Sequence, residues 1–203
     1  MSAAVGPDAV VVDARGRSHY SRVAIAFHWT IAVLLIANLV AGLFVLGPLL
    51  DSSDPADKQL GFTLIQIHKS TGLVVLLLAV ARIAWRLGNP PPPLPVHMTP
   101  VERTLARLSH FGFYLVMLIL PLSGWAMVST GKILFPMRFF GTFVVPPLPL
   151  PREWGHFFHE SHEILGWITA AMIALHVAAA LKHHFFDRDD VLARMLPWVR
   201  ART

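Results

Sequence analysis

The sequence predicts an all-α protein, an integral membrane four-helix bundle with the N-terminus and C-terminus both cytoplasmic. Three observations carry that reading. The 203 residues are 55% apolar and only 14% charged, with a mean hydropathy of +0.57, a balance that excludes a water-soluble single core. Residues 23–50, 108–131 and 164–181 contain no Lys, Arg, Asp or Glu, and each run is long enough to cross a hydrocarbon layer of about 30 Å. The basic residues stand at the ends of those runs, so the net charge of +5 reflects topology rather than a nucleic-acid surface. One membrane domain, residues 1–203, is expected, with spans at about 22–46, 62–87, 108–130 and 157–181.

Residues 1–22 are polar and basic, and the apolar run that follows is too long for a removable signal peptide, so the first span is expected to be retained. The second span is the weakest, because Lys69, Arg82 and Arg86 interrupt it. Its neighbours require it all the same. With Arg15, Arg17 and Arg22 inside, the acidic loop bearing Asp51, Asp54 and Asp57 falls outside, and Arg82, Arg86, Arg103 and Arg107 return inside. Lys182, Arg188, Arg194, Arg200 and Arg202 follow the last span on the same side. Five prolines within 90–95 predict a stiff connector between spans 2 and 3, and Pro121 predicts a kink inside span 3. The loop of about 130–155 is punctuated by Pro146, Pro147, Pro149 and Pro151 and mixes Lys132, Phe135, Phe139, Phe140 and Trp154. That composition suits the interfacial region, and the loop is expected to cap the outer end of the bundle.

The absence of cysteine excludes disulfides, iron–sulfur clusters, thiolate zinc sites and covalently attached c-type haem. Metal chemistry therefore falls to eleven histidines. Ionisable groups inside spans are costly and mark function, so depth sorts them. His28 lies about 9 Å along span 1 from Arg22, and His68 near the outer end of span 2. His162 begins span 4, and His176 lies about 21 Å deeper on nearly the same face. His68 and His162 thus share an outer level, and His28 and His176 an inner one. Two imidazoles from different helices at each level is the arrangement of bis-histidine haem ligation, giving two non-covalent b haems. The residues one turn on, Ala32, Gly72, Gly166 and Ala180, are all small, which leaves room for a macrocycle edge. A single intramembrane histidine explains itself as a cross-helix hydrogen bond, whereas four at two matched levels do not. His110 is the rival to His28, and His159 the rival to His162. His19 and His97 read as solvated loop residues, and His183 and His184 as head-group residues favoured by the helix dipole. Arg82 divides between snorkelling and pairing with a haem propionate, the latter preferred, and Lys69 offers the same pairing on the outer side.

The stretch Tyr20-Ser21-Arg22 through Phe27-His28-Trp29, the block Ile67-His68-Lys69-Ser70-Thr71-Gly72, Pro121-Leu122-Ser123-Gly124-Trp125, and His162 to His176 with Lys182-His183-His184-Phe185 resemble the bacterial cytochrome b561 family. The resemblance covers about residues 18–197. It implies a di-haem b cytochrome of the bacterial inner membrane that exchanges electrons with the quinone pool, and haem ligands at His28, His68, His162 and His176. Superoxide oxidation coupled to ubiquinone reduction is an activity the resemblance implies. An anionic donor at the outer face would be drawn by Lys69, Lys132, Arg138 and Arg152. Two other classes compete: a haem-bearing membrane anchor subunit of a dehydrogenase or hydrogenase, and a histidine-lined metal or proton transporter. The transporter class needs carboxylates within the spans, and Glu160 and Glu163 occur only at the start of span 4. A partner dehydrogenase or a homo-oligomer fits the chain equally well.

Overall fold

The computed structural model describes residues 11–12, 18–95, 98–131, 136–196 and 198–199. Arg15, Arg17, His97, Lys132, Phe135, Arg200 and Arg202, all assigned places above, lie outside the described residues, as does the side chain of His19.

Four helices long and apolar enough to cross a membrane make the bundle: α1, Arg22–Asp51; α2, Pro55–Gly88; α3, Pro100–Thr130; and α4, Arg152–Asp187. Each start has a local cause. Ser21 caps α1 by accepting the Ala24 N–H at 3.2 Å. Asp54 accepts from Ala56 N–H at 2.8 Å ahead of Pro55 in the first turn of α2. Thr99 and Glu102 form a reciprocal capping box on α3, again with proline in the first turn. These caps explain why α2 and α3 begin well before the apolar runs that fill the membrane. The helix is set by its cap, and the apolar run sets only the part facing lipid. α1 is interrupted by a π-helical turn at Ala41–Val45, and α4 ends in another at His183–Asp187. Arg188, at φ 55° in the left-handed region, stops it. α3 continues through Pro121. A short helix α5, Val191–Met195, follows. The two small antiparallel sheets are β1 (Val11–Val12) with β2 (Ser18–His19), and β3 (Arg138–Phe139) with β4 (Phe143–Val144).

The buried core consists of Ile31 and Leu35 from α1, Val75 and Ala79 from α2 and Met117 from α3, with Ile173 of α4 packed against it. Ile173 falls between His162 and His176 of α4, while Ile31 and Leu35 follow His28 along α1, and Val75 and Ala79 follow His68 along α2. The bundle is thus filled at mid-depth by an apolar plug with a polar level at either end. The outward faces remain apolar, as at Leu77 and Leu175, because the surrounding solvent is hydrocarbon.

At the end of the bundle where α1 begins and α4 ends, the tail end, the segment after α4 folds back beneath the helices. Trp29 Nε1 donates to the Met195 carbonyl at 2.9 Å, and Arg194 donates to the Pro93 carbonyl at 2.8 Å. Lys182 joins Glu102 of α3 at 2.6 Å and Asp187 at 2.8 Å. At the opposite end, the loop end, residues 136–148 are held by Gln66 and Ser70, well inside α2, and by Trp125 and Ser129 in the last turns of α3.

Candidate functional site

The helices bring the histidines together in pairs. His68 of α2 and His162 of α4 stand with ring centroids 6.2 Å apart and planes at 87°. His28 of α1 and His176 of α4 are also 6.2 Å apart, at 54°. Two imidazoles sharing one metal ion, with bonds of about 2 Å and about 1.1 Å from nitrogen to ring centre, are separated by about 6.3 Å. Both pairs therefore fit a single iron between them.

His162 is oriented by its other nitrogen. Its Nδ1 lies 3.1 Å from the Leu120 carbonyl and 3.0 Å from Ser123 Oγ, and Ser123 itself donates to the same carbonyl at 2.8 Å. A carbonyl only accepts, so Nδ1 carries the proton and Nε2 keeps its lone pair for a metal. Space for the rings comes from glycines on the facing helices. A Cβ at Gly124 of α3 would stand 2.8 Å from His162 Cε1, and one at Gly42 of α1 would stand 2.9 Å from His68 Cε1. Gly42 lies within the π-helical turn, where the extra residue alters which side chains face inward. Sequence reasoning looked for room one turn along the histidine's own helix, and the closest approaches are from the helix opposite. A Cβ at Gly166 would meet Leu43 of α1 at 3.4 Å and Leu39 at 4.0 Å.

At the level of His28 and His176 there is a third imidazole: His110 of α3 stands 6.0 Å from His176, and Phe113 lies against the same ring at 5.2 Å. The rival at the other level is not brought in, since His159 is exposed on α4 and His156 pairs with Glu160 at 3.4 Å. Arg82 lies over the Tyr114 ring at 5.7 Å, and Arg86 reaches it at 5.4 Å while donating to the phenol oxygen at 3.0 Å. Among the described residues, no ion pair joins Arg82 or Arg86 to a carboxylate. Burial holds the nearby Tyr20 phenol above its ordinary pKa despite the opposing influence of Arg86, Arg194 and Arg82, so it stays neutral. Two half-buried guanidinium groups and two phenols are thus gathered at this level. Arg86 stood out in the sequence as a charge one turn from Arg82, whereas Tyr114 carried no sequence signal, because only the packing of α3 against α2 brings it to them. Lys69 is half-buried beside His68.

His183 and His184, at the π-helical end of α4, are both buried within the protein. His183 Nδ1 meets Asp189 at 2.7 Å and Asp187 at 3.0 Å.

Four apolar membrane helices with paired imidazoles at two levels, and guanidinium groups beside one of them, define a class: a bundle built to hold porphyrin-bound or free metal within the bilayer. The comparisons with known proteins narrow the class. The family model described as prokaryotic cytochrome b561 matches residues 19–198. "Cytochrome b561 homolog 2" of Escherichia coli (strain K12) is 36% identical over 181 residues, 87% of this chain and 90% of that protein. "Cytochrome b561 homolog 1" of the same organism is 30% identical over 186 residues, covering 89% and 98%. "Probable superoxide oxidase CybB" of Yersinia pestis is 28% identical over 188 residues, covering 90% and 98%. The chain belongs to the prokaryotic cytochrome b561 family: it is a membrane electron-transfer protein of the bacterial inner membrane, and the family implies b-type haem.

Proposed function

We propose that the chain carries two b haems, one between His68 and His162 and one between His28 and His176, and links the quinone pool to a one-electron donor, with superoxide as donor and ubiquinone as acceptor. The observation that carries this reading is the equal separation of 6.2 Å in the two histidine pairs. When bound, b haem supplies reversible one-electron chemistry that no side chain of this protein provides. The chain's own residues bind, orient and insulate. Leu120 and Ser123 fix the tautomer of His162. Arg82, with Arg86 and Tyr114 behind it, receives a propionate at the inner level, and Lys69 does so at the outer level. The apolar plug of Ile31, Leu35, Val75, Ala79 and Met117 keeps water from the space between the levels. In the membrane, positive-inside bias orients the tail end with its Arg82, Arg86 and Lys182 toward the cytoplasm and the loop end outward.

Support for superoxide comes from the name of the Yersinia pestis relative and from the exposed Arg138 and Arg152 at the loop end, which attract an anionic donor. Haem reduction by superoxide is expected to be fast at low ionic strength and to slow as salt rises past about 0.1 M, where screening reaches about 10 Å. Neutralising Lys132, Arg138 and Arg152 together should slow it and flatten the salt dependence. Stopped-flow absorbance across a salt series tests this, and a rate indifferent to both salt and the substitutions, with rapid reduction by quinol, would exclude superoxide as the donor.

A further inference from the structure

We propose that the β3–β4 hairpin is immersed in the lipid leaflet at the loop end, its tip residues Phe140 and Phe143 lying against acyl chains beside the outer histidine pair. Depth is the first argument. Ser70 lies fifteen residues into α2, about 22 Å from its start, and Phe140 N–H donates to Ser70 Oγ at 2.9 Å. Counting about twenty residues back from Arg86, the helix length that spans a hydrocarbon core, reaches Gln66. The hairpin is thus fastened at the hydrocarbon boundary and at the level of His68. It does not stand above the membrane.

The second argument is backbone chemistry. A loop in water needs no protein partners for its peptide groups, whereas a loop in lipid needs one for each. Gln66 Nε2 donates to the Pro136 carbonyl at 3.0 Å while its Oε1 accepts the Arg138 N–H at 3.2 Å. Ser70 Oγ stands 3.3 Å from the Arg138 carbonyl, Ser129 Oγ accepts the Leu148 N–H at 2.9 Å, and Trp125 donates to the Pro146 carbonyl at 3.1 Å. Four polar side chains on two membrane helices are thus occupied with the backbone of one loop. Ser70 itself is completely buried.

The third argument is what the hairpin displays. Met137 and Val145 at its base are buried, while Phe140, Phe143 and Val144 are exposed. The three-residue turn, 140–142, places Phe140 at φ 43° and Gly141 at φ 77°, consecutive left-handed positions usually met by Asn-Gly. Phenylalanine there sets an aromatic ring at the tip, next to the stacked Phe139–Phe143 pair with centroids at 5.3 Å. Ile119 and Leu122 on α3 are exposed and apolar as well. The exposed Arg138 at the hairpin base is long enough to reach phosphate head groups.

The absence of cysteine permits a clean test. Phe143→Cys and, separately, Phe140→Cys are made in the full chain, labelled with a nitroxide and reconstituted in phosphatidylcholine–phosphatidylglycerol vesicles. Leu77→Cys, exposed mid-helix, serves as the lipid reference, and Ser53→Cys, in the α1–α2 loop, as the water reference. Collisions with oxygen, which enters lipid, are compared with collisions with a nickel chelate, which does not. The oxygen-to-nickel ratio at both hairpin sites is expected to group with Leu77 and to exceed Ser53 by at least about tenfold, because a charged chelate is excluded from hydrocarbon. A ratio like that of Ser53 overturns the proposal and places the hairpin in water. Low collision rates with both reagents overturn it too, showing protein coverage such as a second copy of the chain.

Discussion

Alanine at His68 or at His162 is expected to remove the same one of two haem signals, and alanine at His28 or His176 to remove the other. The pairs are 6.2 Å apart within each level, and the apolar plug separates the levels, so loss of one ligand leaves the distant pair intact. Haem content by pyridine haemochrome should fall from two per chain to about one in each single variant, since a low-spin b haem requires both axial nitrogens. The two difference spectra should superimpose within a level and differ between levels. His110→Ala is the informative control, because His110 stands as close to His176 as His28 does. If the His110 variant loses the component that His176→Ala loses while His28→Ala retains it, the inner ligand is His110. A single haem in the unaltered protein would remove the whole proposal.

Valine at Gly124 is expected to lower occupancy of the outer site nearly as far as deleting His162, although no ligand is touched. Its Cβ would arrive 2.8 Å from the ring carbon Cε1 and 3.2 Å from Nδ1, and the ring cannot retreat without breaking its contacts to Leu120 and Ser123. Overpacking of this kind costs about 1–3 kcal/mol where neighbours can adjust and more where they cannot. Gly42→Val should act likewise through His68, whose Cε1 is 2.9 Å from the new Cβ. Gly72→Ala is the matched negative, because its Cβ would meet only Asn38 at 3.8 Å. Spectral titration of the purified variants with haemin measures all three. Equal occupancy in Gly124→Val and the parent would show that the ring moves freely and that the facing glycines are incidental.

The histidine levels were legible because depth along a helix is counted directly from sequence, at a fixed rise per residue. Charged residues at the ends of apolar runs gave the four spans for a similar reason. What could not be counted was orientation across the bundle. Gly42 and Gly124 matter through the helix each one faces, and Gly42 sits in a π-helical turn that breaks the 100° periodicity on which facing arguments depend. Tyr114 becomes a partner of Arg82 and Arg86 only once α2 and α3 are packed together. The pairing of His183 with Asp189 was not legible, because Asp189 lies beyond the left-handed turn at Arg188, where no helical periodicity applies. The loop's aromatic and basic content pointed to an interface, yet its seating depended on Gln66 and Ser70, about seventy residues earlier in the chain.

That distance has a consequence in time. During synthesis at about 5–20 residues per second, roughly 4–14 seconds pass between the appearance of Gln66 and Ser70 and that of residues 136–140. Throughout that interval α2, already burdened by Lys69, Arg82 and Arg86, must sit in or near the bilayer with the amide of Gln66 lacking its eventual loop partners. The weakest helix therefore completes its bonding only after the third helix has emerged and its following loop has turned back. A chain arrested after residue 131 should leave α2 poorly inserted, and one arrested after residue 150 should leave it fully inserted. Glycosylation or protease mapping of stalled ribosome–nascent chains would read that difference as an order of assembly.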